Sequence, residues 1–499
     1  MLAVCVATFM LLLDITIVNV ALPSIQRDLD ASLSSLQWVV DAYALTLASS
    51  LLVFGSLGDR LGRRRIFSIG FAIFTLASLL CGLSSDPTVL NFFRALQGVG
   101  GAAMFATSLA LIAQEFEGSE RASAIGIWGA TVGGAVAVGP LVGGVITDAL
   151  GWEWIFFVNV PIGIAAIFLT ETQLANVAAS DPKPIDWAGL VTFSLALFGL
   201  IFGLIRGNPA GWASPEILVS LIGAAVLMTA FIVIELRRDN AMLDLSLFRV
   251  PAFGGVSIVA WALSAGMFAM FLYLTLYIQD VLGFSPLQAG LRFLPVTLLS
   301  FVVAPIGGQL LKRWPARALL GSGLILVGVG LLLMHGVQVG DSWTRLLPGF
   351  LVAGVGIGLT NPAIASTALG VVPPARAGMA SGINSTFRQI GIATGVAALG
   401  AVFQSRIASE LAISLPQAPS SFADAVSSGA AHQAAATAPP QFRERALDAA
   451  NHAFVVAFNE ILLIGAAVAI VGGVLGLVMV RQSDFVSPPA EATAEPAAA

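Results

Sequence analysis

The sequence predicts an all-α integral membrane protein that crosses the bilayer fourteen times. Three observations carry this. Of 499 residues, 57% are hydrophobic and only 10% charged, against about 25% charged in soluble domains. The apolar residues gather into runs of about 20, the length a helix needs to cross the hydrocarbon core. The first run, 1–23, holds a single charge, Asp14, about ten residues or ~15 Å from either end. A short Asp side chain cannot reach a headgroup from that depth, and an ionisable group there marks function by default.

The spans follow in order. Span 1 covers 3–23, and span 2 covers 36–57 and is followed by the basic segment Arg60–Arg65. Span 3 covers 66–84. Span 4, 88–112, contains Arg94 about six residues inside one end, where a guanidinium needs an acceptor. Asp14 and Asp41 are the two candidates. Span 5, 122–147, is rich in glycines that let helix backbones touch, and Pro140 removes a helical hydrogen bond there. Span 6 covers 154–171. A polar stretch containing Asp-Pro-Lys-Pro, 172–186, leads to spans 7 and 8 at 187–206 and 215–236. Spans 9 to 13 cover 252–278, 288–311, 317–336, 345–371 and 379–402. Span 12 contains Asn361-Pro362, a kink beside a polar side chain that can line a cavity. An Ala/Ser/Pro/Gln-rich outer loop, 404–453, ends in a helix-friendly run after prolines and enters span 14 at 454–480. The Ala/Pro/Glu-rich tail 481–499 is expected to lack fixed structure.

Basic residues test this count. With the Arg60–Arg65 loop on the cytoplasmic side, the even-numbered loops hold Arg121, Lys183, Arg237, Arg238, Arg249, Lys312, Arg313, Arg317 and Arg376. The bias is roughly two to one, and an even span count places both termini in the cytoplasm.

Several chemistries are excluded. Neither lysine, Lys183 or Lys312, follows a glycine, so there is no phosphate-cradling loop. The histidines His335, His432 and His452 lack metal-ligand spacing. Cys5 and Cys81 lie in apolar runs and read as core residues. No cofactor, metal or nucleic-acid partner is expected. Clustered catalytic groups within the spans are not visible, which argues against a membrane-embedded enzyme.

The segment after span 2 reads Gly55-Ser-Leu-Gly-Asp59-Arg60-Leu-Gly62-Arg63-Arg64-Arg65. It resembles the signature loop between helices 2 and 3 of the major facilitator superfamily. Leu13-Asp14-Ile-Thr16 through Asn19 and Pro23 resembles the first-helix motif of that superfamily's fourteen-span drug:proton antiporters. Trp38-Val-Val-Asp41-Ala-Tyr43 resembles their second-helix start, and Arg94-Ala-Leu-Gln97-Gly98 their helix-4 motif. Gly133 through Gly139-Pro140-Leu-Val-Gly143-Gly144 resembles their antiporter motif, and Trp152 through Asn159 and Pro161 the start of helix 6. Gly308-Gln-Leu-Leu-Lys312-Arg313-Trp-Pro-Ala-Arg317 aligns weakly with Gly55–Arg64 as an internal repeat, with Lys312 where Asp59 stands.

The resemblance implies two six-helix bundles, 1–171 and 251–480, with two extra spans inserted in 172–250. It implies a monomeric cell-membrane exporter of small amphipathic, cationic drug-like compounds in exchange for protons. Export of an endogenous metabolite or lipid by the same mechanism is the alternative. Asp14, Arg94 and Asp41 are the expected proton-coupling residues. Gly55, Asp59, Arg60, Gly62, Arg63 and Arg64 form the expected gate, and Asp14, Trp38, Asp41, Tyr43 and Asn361 the expected substrate cavity. Asn is isosteric with Asp and needs no counter-charge, so the fold is expected to survive Asp14→Asn.

Overall fold

The computed structural model describes residues 1–31, 33–116, 118–174, 186–238, 243, 245–373, 376–436 and 439–486. Every extended element among them is helical. Twelve helices are long and apolar enough to cross a membrane. The described parts of the first and fifth helices supply shorter apolar stretches, Leu2–Val18, Ser123–Val132 and Leu141–Leu150. Most of the expected linker and tail, 175–185 and 487–499, lies outside the described residues.

The first group of helices is α1 (Leu2–Asp28), α2 (Leu33–Leu61), α3 (Arg63–Gly82), α4 (Pro87–Glu115), α5 (Gly118–Leu150), α6 (Trp154–Phe157) and α7 (Asn159–Gln173). Local chemistry sets their ends. Gly62 has φ 100°, in the left-handed region that favours glycine, and it starts α3. Asp86 caps α4 by accepting from the amides of Thr88 and Val89, with Pro87 in the first turn. Those amides hold its carboxyl below the usual carboxylate range. The sixth span is two helices meeting at Val158, one residue before Asn159.

Next comes a hairpin, α8 (Trp187–Ala210) and α9 (Pro215–Arg237). Asp186 closes its base, accepting from the Gly189 amide and from Arg238 at 2.6 Å. One face of α8 lies along α2 and α15, where Ile201 packs with Leu45, Ala48 and Ala393.

The last group is α10 (Pro251–Leu263), α11 (Ala269–Leu276), α12 (Pro286–Leu310), α13 (Ala316–Met334), α14 (Leu347–Gly370), α15 (Ala377–Ser414), α16 (Ser420–Ser427), α17 (Ala431–Ala436) and α18 (Pro440–Met479). Two π-helical segments, Ser264–Phe268 and Tyr277–Val281, bracket α11 within span 9. The segment 404–453, expected to be a loop, is largely helical among the described residues. Helix α15 continues to Ser414 and α18 starts at Pro440. Phe422, Val426 and Ala435 are buried. The reason is compositional: alanine is the best helix former, and Pro440 sits in a first turn, where it costs nothing.

Within the first group α2 and α3 pack on α4, and α1 packs on α5. Within the last, α13 packs on α14 and α18, and α12 on α14. The groups meet along two seams, α2 against α15 and α5 against α12. Small residues make the first seam close: a Cβ on Gly55 would stand 2.4 Å from the Gly378 carbonyl oxygen.

Candidate functional site

Asp14 is buried in the middle of α1, and its carboxylate is fully engaged. Oδ2 accepts from Arg94 Nη1 at 2.6 Å. Oδ1 accepts from Gln97 Nε2 at 2.9 Å and from Asn159 Nδ2 at 3.4 Å. Arg94 is equally occupied: Nε donates to the Val39 carbonyl at 2.9 Å and Nη1 also to Gln97 Oε1 at 2.7 Å. The Tyr43 ring covers the guanidinium, with its centroid 4.2 Å from Cζ. Four elements converge here. Close approach of α2 and α4 depends on Gly98, where a Cβ would stand 2.4 Å from the Tyr43 carbonyl oxygen. Thr46 Oγ1 donates across the same contact to the Ala95 carbonyl at 2.7 Å.

Sequence reasoning left Arg94's acceptor open between Asp14 and Asp41, and the structure places Asp14 there. Asp41 instead makes no hydrogen bond among the described residues and has Arg206 of α8 as its charged neighbour. Trp38 also turns to α8, with its ring 5.8 Å from that of Phe202. Gln97 and Asn159 complete the Asp14 site but were not singled out. Gln97 lies one helical turn after Arg94, the spacing that puts two side chains on one face.

A second polar cluster closes the α2–α15 seam. Asp59 Oδ1 accepts from Arg63 Nε and Nη2 at 3.0 and 2.9 Å. The same carboxylate reaches the other group, accepting from the Gly378 amide at 3.0 Å and the Met379 amide at 2.8 Å. These are free amides of the first turn of α15, so the acid meets the positive end of a helix. Gly378 is required: a Cβ there would stand 2.6 Å from both Asp59 Oδ1 and the Gly55 carbonyl oxygen. Arg63 also donates to the Ala110 carbonyl, and Arg64 pairs with Glu171 at the end of α7. Arg60 is buried beside them. In the repeat position Lys312 is exposed and forms no such contact.

The span 5 glycines divide. A Cβ on Gly139 would stand 1.7 Å from Thr16 Oγ1 and one on Gly143 2.7 Å from Ile17 Cγ1, so both sit on α1. A Cβ on Gly144 would meet nothing within 4 Å beyond its own helix among the described residues. Gly133 and Pro140 belong to the same helix.

Between the groups lies a narrow, partly open recess. It is lined by Val132 of α5, Phe268, Phe271, Thr297, Ser300 and Asn361 among others. Asn361 Oδ1 accepts from Arg388 of α15. Arg388 was overlooked in the sequence, although it is the sole charge of an apolar span, the same signal that Asp14 gives.

A model of the Major Facilitator Superfamily matches residues 4–396. The chain is 38% identical over 404 residues to the multidrug resistance protein Stp of Mycobacterium tuberculosis, covering 81% of this chain and 75% of that one. It is 36% identical over 418 residues to the tetracenomycin C resistance and export protein of Streptomyces glaucescens, covering 82% and 76%. The solved structure of the proton:xylose symporter XylE superposes with a TM-score of 0.64 at 12% identity, covering 96% of this chain and 95% of that one. With its multiple membrane-crossing helices meeting along two seams, this chain belongs to the major facilitator superfamily and is a multi-pass membrane transporter, not an enzyme.

Proposed function

We propose that the protein exports amphipathic drug-like compounds in exchange for protons. The observation that carries the reading is Asp14, a buried carboxylate held by Arg94, Gln97 and Asn159 at mid-depth in α1. A proton arriving at Asp14 cancels its charge and releases Arg94 from its one carboxylate partner. Helices α1, α2, α4 and α7 all contact this cluster, so the proton changes the packing of the first group. The named drug-resistance relatives support an exported, drug-like cargo.

The groups 1–171 and 251–480 act as the two rocking bundles, with α8 and α9 as the inserted pair and fourteen spans in all. The protein sits in the cell membrane with both termini in the cytoplasm. The Asp59 clasp on the α15 amides holds the cytoplasmic side shut, and opening that side breaks those two bonds while the Arg63 pair travels with α2 and α3. A cationic cargo is the second reading. It would be met by Asp41, a half-buried carboxylate without a hydrogen-bonding partner among the described residues, because Asp14 is engaged.

The test is cargo-induced proton movement in liposomes containing the purified protein. Proton flux that depends on a transported compound is expected, and uphill compound transport unaffected by a proton uncoupler would remove the antiport reading. Cysteines at Arg65 and Ser421, in protein lacking Cys5 and Cys81, test the topology. Labelling of both from the same side would exclude it.

A further inference from the structure

Arg388 stands eleven residues into α15, ~16 Å from its start, and Asn361 is at a similar depth in α14. Both are near the middle of the membrane. Asn361 lines the recess between the bundles and binds Arg388 through Oδ1. Its amide nitrogen has no acceptor among the described residues. Arg388 is half-buried, and Asn361 is its only hydrogen-bond partner among the described residues. No carboxylate pairs with it there, in contrast to Arg94, whose charge Asp14 balances. One helical turn before Arg388, Asn384 is 4% exposed and its Nδ2 is buried without an acceptor. One wall of the recess thus carries Asn361, bonded to an unbalanced guanidinium behind it, and a second amide with a donor to spare lies one turn away at Asn384. Beside them the Phe268 and Phe271 rings offer apolar surface.

A cation in the membrane interior without a counter-charge is costly. Its donors are a planar fork that matches a carboxylate or sulfonate. We propose that Arg388, with Asn361, is the subsite for an ionised acidic group on the cargo, so that the transported class is aromatic, amphipathic acids. The aromatic side chains of the recess take the ring system, and the guanidinium takes the anion. This deepens the export reading and rests on it for the route of the cargo, but the anion preference is a property of binding alone.

The test uses three probes with one ring system: pyrenebutyrate, its neutral amide, and the corresponding trimethylammonium cation. Binding to the purified full chain is measured in nanodiscs of zwitterionic lipid, with empty nanodiscs subtracted. The wild type should bind the acid at least about tenfold tighter than the amide, and the cation weakest. Arg388→Gln should bring the acid to within about threefold of the amide, weakening the acid far more than the amide. Arg388→Lys should keep part of the preference. A purely structural role would weaken all three probes alike, and that result overturns the proposal. So does a wild type that binds acid and amide equally or prefers the cation. If Arg388→Gln does not fold, the wild-type order and Arg388→Lys decide. Loss of proton coupling would leave this order of binding intact, so the two readings fail separately.

Discussion

Asp14→Asn is the sharpest perturbation of the buried site, and its cost follows from the geometry. The carboxylate accepts on both oxygens: Arg94 at Oδ2, Gln97 and Asn159 at Oδ1. An asparagine has one acceptor atom and one donor. With its oxygen toward Arg94, its NH₂ faces the donors of Gln97 and Asn159. Turned over, its NH₂ faces the guanidinium. Gln97 cannot relieve the first arrangement by flipping, because its Oε1 accepts from Arg94. Both orientations also leave a buried guanidinium without its counter-charge. Breaking a buried pair from one side costs about 3–5 kcal/mol. The isostere argument from sequence considers Asp14 alone, and the neighbours add this cost to it. Removing both charges in Asp14→Asn/Arg94→Met should recover most of the loss, leaving the Val39 carbonyl with its helical bond and Gln97 Oε1 without its Arg94 donor, at about 1–3 kcal/mol. The assay is a double-mutant cycle on reversible unfolding of the purified protein in mixed micelles. A coupling of at least ~2 kcal/mol is expected. Additive effects, within the ~0.5 kcal/mol typical of independent sites, would refute the argument.

Two further outcomes are expected. Asp59→Asn keeps one acceptor but loses the charge that faces the α15 amides, worth about 1.5–3 kcal/mol for a charged hydrogen bond. It should shift the protein towards the open cytoplasmic side and slow cycling more than it weakens cargo binding. Interspin distances across the α2–α15 seam together with the transport rate check this, and a wild-type rate with unchanged distances would exclude the clasp. Gly139→Leu should abolish coupled transport because even its Cβ collides with Thr16, whereas Gly144→Ala should be silent because the space there is open. Equal uptake by both variants in vesicles would show that the α1–α5 contact has slack.

The sequence exposed what depends on composition and isolation. Long apolar runs give the helices, and a lone charge in such a run draws attention to Asp14 and Arg94. The same rule applied evenly would have found Arg388. Pairings between distant segments were less legible. The distances that give Arg94 to Asp14 and leave Asp41 beside α8 arise from how α2 rotates against its neighbours, and periodicity does not encode that rotation. Glu171, the partner of Arg64, lay at a span end where an acid looks merely solvated. The two π-helical segments of span 9 had no signal, because they insert an extra residue per turn without changing the apolar character of the run.

The Asp59 clasp has an unequal inheritance. On α2 it is one side chain, and any substitution there alters it. On α15 it is two backbone amides, which every residue except proline supplies. Sequence drift can therefore alter residue 379 without touching the contact, within what its buried side chain allows and provided the helix still begins there. Residue 378 is limited by size and not by chemistry. A genetic screen for transporters with a loosened cytoplasmic closure should accordingly return many different changes at Asp59. On the α15 side it should return chiefly prolines and bulky replacements of Gly378.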